Sequence, residues 1–330
     1  MIFLDNNSTT KLDDRVLEKM LPYLRDNYGN PHSNFHNLGL ISRKAVEDSR
    51  ENIAEIFNVN SENVIFTSGA TESNNLALKG LVYKAIENQS NRHKIFCSSI
   101  EHKCVLETCE FCKSLGFKHE LIPVDTKGHV DIEWLADNID EKTLFVSVMA
   151  VNNETGMRTN LEKIHEVCLK NGVIFHSDMA QALHGEKFDL TKLPIDAVSI
   201  SGHKIYGPKG VGALILNHEP SEFISPISHG GLQEQEIRSG TVPVFLTVGL
   251  STAINYINDE YEKNRNYLID LRQKFIEKIT NLSSNIKINY ASKNGHPGTV
   301  NLHFKNIEAD IIATRLANEV AVSTAAACNG

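Results

Sequence analysis

The chain places its most reactive side chains directly after short apolar runs. Lys204 follows the apolar run 197–201 inside a turn rich in glycine and proline, GHKIYGPKG. A lysine that is partly desolvated at a strand end loses proton affinity, and its amine becomes a usable nucleophile. Asp178 and Gln181 follow the run 173–176, where a buried carboxylate is costly unless it is paired. Asp178 could hold a protonated ring nitrogen or a metal, and a helix cap is an equal alternative.

A second group of side chains is suited to hold an anion. The apolar run 64–67 leads through Ser-Gly to Ala70 and Thr71, where a helix is expected to begin. Free N–H groups and the helix dipole attract anions at such a point, and the Thr71 hydroxyl can donate. An ordinary helix cap without an anion is the simpler alternative. The patterns GxGxxG and GxxxxGK[ST] are absent, which argues against the common dinucleotide and P-loop sites.

Two further strand ends carry side chains that could contact a ligand. His102 could stack on a planar ligand or move a proton, although an ordinary loop histidine is the simpler alternative. Asn153 lies in NNETG and offers amide donors, although asparagine and glycine also serve turns. A nucleophilic lysine, an acid for a ring nitrogen and an anion cradle are together the parts that pyridoxal phosphate (PLP) needs.

Metal binding and serine hydrolysis have weaker support. Cys109-x-x-Cys112 lacks a second cysteine pair and lies in a helical pattern, so we interpret it as packing. His32 and His36 have asparagine neighbours and no acidic partner, which favours ordinary loop polarity. The GxSxG elbow of a serine hydrolase is absent. We therefore predict no metal site.

The elements that would position these residues alternate in type. Short β-rich runs alternate with helical patterns from about residue 64 to 216, which is typical of a mostly parallel α/β sheet with covered faces. Two long helical patterns at 248–260 and 262–280 then precede a smaller α+β pattern. We predict a large domain over 14–252 and a small domain formed by 1–13 with 253–330.

Composition excludes several classes of protein. The 330 residues include 33 Lys+Arg and 41 Asp+Glu, for a formal charge of −8, which argues against direct nucleic-acid binding. No apolar stretch approaches the ~18 residues that a membrane span needs, and the N-terminus does not resemble a signal peptide. The six cysteines are sparse and unevenly spread, which fits a reducing, cytoplasmic location.

These residues together resemble the cysteine desulfurases, a branch of the class V aminotransferase family of PLP enzymes. The matching motifs occur in order over the whole chain: LDNNSTT, GNPHSNFHNLG, TSGATESNN, EHKCVLET, VNNETG, FHSDMAQ, SGHKIYGPKG, HGGLQEQEIRSGT and STAAAC. The combination of SGHKIYGPKG, RSGT and the cysteine loop near the end is highly specific. The resemblance implies fold type I, with a large PLP domain, a smaller α+β domain and an obligate homodimer.

The resemblance also implies a role for each candidate residue. Lys204 would hold PLP through a Schiff base, Asp178 would pair with the ring nitrogen, and His102 would stack on the ring and relay protons. Gln181 would contact the ring oxygen, with Asn153 nearby. The phosphate would be held by Ala70, Thr71, Ser201 and His203, joined by Thr241 of the partner subunit.

Sulfur transfer would depend on Cys328. The resemblance implies that its thiolate takes sulfur from L-cysteine as a persulfide, leaves L-alanine, and passes the sulfur to an acceptor for iron–sulfur cluster assembly or tRNA thiolation. Small residues around it should let the loop move. Without the resemblance, a buried strand-end thiol would be the simpler interpretation. The alternatives are another class V enzyme, such as a selenocysteine lyase or an aminotransferase, and a truncated, weakly active binding partner.

The chain departs from the family pattern in three places. Leu232 and Glu236 replace glycines, so the turn near the partner's phosphate is expected to differ. Ala325 and Ala326 replace glycine and serine, which should stiffen the cysteine loop slightly. Family members continue for several dozen residues and carry there an arginine that binds the substrate carboxylate. A chain that ends at Gly330 is therefore expected to bind PLP but to turn over cysteine poorly.

Overall fold

The computed structural model describes residues 1–289 and 295–324. Cys328, Ala325 and Ala326 lie outside the described residues. Within the described ranges, helices and strands alternate along most of the chain. The strands are β1 (Ile2–Phe3), β2 (Val64–Thr67), β3 (Lys94–Ser98), β4 (Lys118–Ile122), β5 (Thr143–Ser147), β6 (Ile174–Asp178), β7 (Ala197–Ser201), β8 (Gly212–Leu216), β9 (Ile286–Asn289), β10 (Asn301–Phe304) and β11 (Val320–Ala321).

The helices lie between and after these strands. They are α1 (Asp14–Arg25), α2 (Asn37–Phe57), α3 (Ala70–Glu87), α4 (Lys103–Cys112), α5 (Ile132–Asn138), α6 (Leu161–Lys170), α7 (Pro220–Phe223), α8 (Val244–Asp259), α9 (Tyr261–Leu282) and α10 (Ala309–Leu316). No helix in the described ranges has the length and apolar character that crossing a bilayer requires.

A seven-stranded sheet organises the larger part of the fold. Its strand order is β2-β8-β7-β6-β5-β3-β4. Strand β8 runs antiparallel to both of its neighbours, and the other pairs are parallel. The predicted mostly parallel α/β sheet is thereby confirmed. The apolar run 144–151 predicts a buried strand of that length from the sequence, but β5 ends at Ser147.

Helices cover both faces of this sheet and create two apolar cores. Successive side chains of a strand point to opposite faces, so Phe66 of β2 packs in one core and Ile65 in the other. Each such buried side chain contributes roughly 1.5–3 kcal/mol relative to exposure. Strands β7 and β8 are buried along their whole length, which is typical of central strands covered on both faces.

Two small sheets lie outside the main one. Strands β9 and β10 pair antiparallel, and β1 pairs in parallel with β11. The N-terminal segment thus joins the C-terminal part of the chain. The division at residue 252 stays a prediction; that residue lies within α8, which packs on α1 and α2.

Candidate cofactor site

Most of the candidate residues collect at the carboxyl ends of the parallel strands, where α/β sheets bind ligands. Asp178 ends β6 and Ser201 ends β7. His102 follows β3 and caps α4, since its Nδ1 accepts a hydrogen bond from the Cys104 amide at 3.2 Å. Ala70 begins α3 beside the end of β2.

Asp178 is a buried carboxylate held by neutral donors. Its residue is only 5% exposed. Asn74 Nδ2 donates to Oδ2 at 2.7 Å, and the Ala180 amide donates to Oδ1 at 2.9 Å. Within residues 1–289 and 295–324, no lysine, arginine or histidine forms an ion pair with it. A buried charge is costly without a counter-charge, so this carboxylate is suited to a cationic group of a ligand.

Asn74 connects Asp178 to the His102 side chain. Its Nδ2 also lies 3.1 Å from Cys104 Sγ, and that sulfur lies 3.0 Å from His102 Nδ1. Burial raises the pKa of Cys104 to about 12, so its thiol keeps its proton and can donate it to His102. His102 Nδ1 therefore acts as an acceptor, and in the neutral ring the proton resides on Nε2.

Lys204 is held by backbone carbonyl groups of the N-terminal segment. Its Nζ donates to Asn7 O and to Ser8 O, the latter at 2.8 Å. His184 Nε2 hydrogen-bonds to Lys204 O and fixes the backbone of the lysine. The turn around it is tight, because a Cβ on Gly207 would lie 2.8 Å from Gly202 O. The Lys204 side chain is half-buried, and its hydrogen bonds to the N-terminal segment set its orientation.

Gln181 and Asn153 meet Lys204 at Asn7. Gln181 Nε2 donates to Asn7 O at 2.7 Å, and Asn7 Nδ2 donates to Asn153 O at 2.9 Å. Sequence reasoning did not single out Asn7 or Asn74, although both lie in quoted motifs. Asn7 lies in the motif LDNNSTT and Asn74 in TSGATESNN, so membership of these motifs was the only indication that the two residues are functional. Their neighbours in the sequence do not indicate which residues they contact.

The predicted anion cradle is open at its backbone. Gly69 has φ 149°, a conformation that side chains rarely adopt, and a Cβ there would lie 3.6 Å from Ser201 Oγ. The first turn of α3, which includes Ala70 and Thr71, then follows with its free N–H groups. This brings Ala70, Thr71 and Ser201 to one place.

His203 follows Ser201 by two residues, and its ring contacts the N-terminal segment. Burial, together with the positive charges of Lys204 and Lys209, lowers the pKa of His203 to about 4. Its Nδ1 lies 3.1 Å from Thr9 Oγ1, so the imidazole is tied to the N-terminal segment. At neutral pH it offers hydrogen bonding rather than a charge.

These features fit PLP. Asp178 supplies a buried anion, Lys204 an amine, and the start of α3 a backbone anion cradle that follows Gly69 at φ 149°. Asn74 Oδ1 is a buried acceptor without a hydrogen-bond partner in the described residues, and it belongs to the group that contacts Asp178. The donor and acceptor set is thus complementary to a flat, phosphorylated, cationic ring.

Thr241 lies apart from this group. It is exposed, and in the described ranges no hydrogen bond ties it to the other candidate residues. Thr241 is the last residue of the segment 229–241, which is anchored by two ion pairs. Glu234 binds Arg50 at 2.7 Å in the core and also accepts from the Phe66 amide, and Arg238 binds Glu72 of α3 at 2.8 Å.

Segment 229–241 contains three consecutive residues in the left-handed region. Glu234, Gln235 and Glu236 have φ values of 45°, 55° and 66°. Such values cost a residue with a side chain about 1 kcal/mol, whereas glycine adopts them freely. The departure at Glu236 therefore places strain where the family pattern implied by the resemblance has glycine.

We expect Glu236→Gly to stabilise the protein by about 1 kcal/mol, because glycine relieves the left-handed strain. Denaturant unfolding of the purified protein would measure the change. Glu236→Ala is the matched control, since it removes the carboxylate and keeps the strain. An equal gain in both variants would show that charge, and not backbone conformation, is responsible.

Glu101 is a fully buried carboxyl group next to His102. Its Oε1 accepts hydrogen bonds from Ser98 Oγ and from the Met149 amide, the latter at 2.8 Å. Burial raises the pKa of Glu101 well above its usual 4.5. The group is therefore held as a neutral acid, and it braces the backbone that leads to His102.

We expect Glu101→Gln to change how stability depends on pH. A raised folded-state pKa stabilises the native protein below the unfolded-state value of 4.5 and loses that contribution as pH rises toward the folded-state value. Between the two pKa values, the free energy of unfolding of Glu101→Gln should rise relative to that of the natural protein by about 1.4 kcal/mol for each pH unit. Denaturant unfolding at pH 5, 6 and 7 measures it, and parallel profiles would contradict it.

Comparison with known proteins identifies the family to which the chain belongs. The family model "Aminotransferase class-V" matches residues 2–330. "Cysteine desulfurase IscS" of Rickettsia bellii (strain OSU 85-389) is 43% identical over 327 residues, which are 99% of this chain and 79% of that protein. A solved structure called "NifS-like protein" is 36% identical with a TM-score of 0.92 and covers 98% of this chain and 87% of its own.

A second solved structure is named as a complex with cysteine. "SspA in complex with cysteine" is 34% identical with a TM-score of 0.87, covering 100% of this chain and 90% of its own. These names do not favour the selenocysteine lyase, aminotransferase or binding-partner alternatives. The chain belongs to the class-V aminotransferase family and, within it, to the cysteine desulfurases.

Proposed function

We propose that the protein converts L-cysteine to L-alanine with PLP bound at Lys204. The observation that carries this proposal is the convergence of Lys204, Gln181 and Asn153 on Asn7, together with the buried Asp178 carboxylate three residues before Gln181. When bound there, PLP supplies an electron sink for the carbon atoms of the amino acid. The comparisons with cysteine desulfurases support the choice of substrate.

Different side chains would bind the cofactor, orient its ring and transfer protons. Asp178 would hold the ring nitrogen in its protonated form, and the Gly69–Thr71 backbone with Ser201 and His203 would bind the phosphate. Gln181 and Asn153 would orient the ring from the side of the N-terminal segment. His102, with its Nδ1 fixed by Cys104, and the Lys204 amine would move protons to and from the substrate.

Cys328 would receive the sulfur. Its thiolate attacks the sulfur of L-cysteine, the carbon–sulfur bond breaks, and the released electron pair stays on the carbon that is protonated to give alanine. The products are a Cys328 persulfide and one L-alanine for each L-cysteine. We further propose that the sulfur passes to an acceptor protein, such as an iron–sulfur scaffold or a component of tRNA thiolation.

The assembly and location of the protein belong to the same proposal. A homodimer would bring Thr241 of the partner subunit to the phosphate, which fits the exposed position of this residue in the single chain. The described cysteines 97, 104, 109, 112 and 168 are all free thiols, which fits the reducing cytoplasm. Light scattering on the purified protein tests the dimer.

The test of the sulfur-transfer step uses L-cysteine and intact mass. The protein reconstituted with PLP should gain one sulfur atom and release an equal amount of alanine. Cys328→Ser should lose the mass gain and keep the cofactor absorbance. Alanine formation at an undiminished rate in Cys328→Ser would overturn the thiol mechanism and leave the cofactor assignment standing.

A further inference from the structure

Three side chains that are typical metal ligands meet beneath α4. Cys97 lies on β3, His119 on β4 and Cys109 on α4. Cys97 Sγ lies 3.2 Å from His119 Nε2, and one ligand atom from each residue lies within 4.8 Å of the other two. Cys97 and Cys109 are fully buried. None of the three belongs to the residues proposed to hold PLP.

The spacing of these atoms suits a tetrahedral cation. Zinc binds sulfur at about 2.3 Å and imidazole nitrogen at about 2.0–2.1 Å, so tetrahedral ligand atoms lie roughly 3.5–3.8 Å apart. Cys97 Sγ and His119 Nε2 lie 3.2 Å apart, which is slightly less than this range. The ligand atoms of all three residues lie within 4.8 Å of one another. Small side-chain rotations would close the group around one ion.

The surroundings of His119 supply a second, independent indication. Its Nδ1 lies 3.4 Å from Glu110 Oε2, on the side of the ring away from Cys97. Metal-binding histidines commonly donate their second ring N–H to a carboxylate, which fixes the tautomer and raises the basicity of the ligand nitrogen. The arrangement of Cys97, His119 and Glu110 follows this pattern.

The charges also balance. Two thiolates and a neutral imidazole carry two negative charges, which a divalent cation cancels. A neutral complex can be buried at much lower cost than separate charges.

We propose that Cys97, Cys109 and His119 bind one zinc-class divalent cation, with a water molecule completing the tetrahedron. The site would tie α4 to β3 and β4 and so hold His102 at the start of that helix. The spacing Cys109-x-x-Cys112 concerns only the pair within the helix, for which packing is the simpler interpretation. Cys97 and His119 reach Cys109 from other elements, which the local pattern could not reveal.

Cobalt titration tests the proposal. All proteins would carry Cys328→Ser, so that this thiol does not compete for metal. One Co²⁺ per chain should bind with a near-ultraviolet sulfur-to-metal band, and Zn²⁺ should displace it. Cys97→Ser and Cys109→Ser should each raise the dissociation constant at least about 100-fold, and Glu110→Gln about 10–100-fold.

Cys168→Ser is the matched control, because Cys168 is a buried helical cysteine in the opposite core. It should leave cobalt binding unchanged. Circular dichroism identifies any variant that fails to fold, and Glu110→Gln provides a mild change at a half-exposed side chain. The absence of a sulfur-to-metal band in the parent protein, or an unchanged affinity in folded Cys97→Ser, would overturn the proposal. So would a Cys97–Cys109 disulfide that forms in place of the metal complex.

Discussion

Lys204→Ala should abolish both the visible absorbance of bound PLP and the conversion of L-cysteine. The Lys204 amine is directed to Asn7 and Ser8 by hydrogen bonds, so its position is set by the fold. We propose that this amine both holds the cofactor and moves a proton. Loss of proton transfer alone should lower kcat by about 10²–10⁴-fold.

Lys209→Ala is the matched control for this substitution. Lys209 belongs to the same turn but is exposed, so its removal should leave the absorbance and the rate nearly unchanged. Spectra and alanine release would be measured on both variants after reconstitution with PLP. A borohydride-sensitive visible band in Lys204→Ala would assign the cofactor to a different lysine.

Asp178→Asn should lower kcat by about 10²–10³-fold while the protein still folds and binds PLP. The substitution keeps the size of the side chain and removes the buried negative charge. Asn74 and the Ala180 amide, which are neutral, cannot replace that charge. The ring nitrogen would then lose the counter-charge that keeps it protonated, and its capacity as an electron sink would fall.

The matched control for Asp178 is Asp196→Asn. Asp196 accepts a hydrogen bond from the Phe175 amide at 2.7 Å, near the opposite end of β6. This variant should reduce stability and leave kcat largely intact. Steady-state rates with saturating PLP, combined with denaturant unfolding, separate the two effects. A loss of kcat in Asp196→Asn as large as that in Asp178→Asn would indicate a structural role for both carboxylates.

Much of the candidate site follows from one property of parallel sheets. Because the carboxyl ends of parallel strands meet at one edge, residues that follow different strands can be predicted to lie together. Asp178, Lys204 and His102 are predicted to lie together on this ground. Periodicity alone could not assign their chemistry, and the motif resemblance was needed for that.

The contacts of Asn7 show what local patterns cannot reveal. Its side chain reaches Asn153, 146 residues away, and Thr299, 292 residues away. Such pairings depend on how the N-terminal segment crosses the sheet, and no spacing in the sequence encodes them. The cluster of Cys97, Cys109 and His119 is not predictable from spacing for the same reason, since each residue lies on a separate element.

Element boundaries were harder to predict than element types. Helix α8 begins at Val244, directly after Pro243, four residues before the predicted start at 248. Proline is well suited to a helix start. The apolar residues after Pro243 continue the helical pattern of the predicted segment toward the N-terminus. The sequence predicts a strand that continues past Ser147, because residues 148–151 are as apolar as β5 itself. Val148 and Ala150 still donate hydrogen bonds to the carbonyl groups of His176 and Asp178.

The most direct test of the central claim is to locate the cofactor on the chain. The purified protein would be reconstituted with PLP, reduced with borohydride, digested and analysed by mass spectrometry. The account predicts one pyridoxyl group, carried by the peptide that contains Lys204, and its loss when L-cysteine is added before reduction. A label on another lysine, or none at all, would contradict the proposed site.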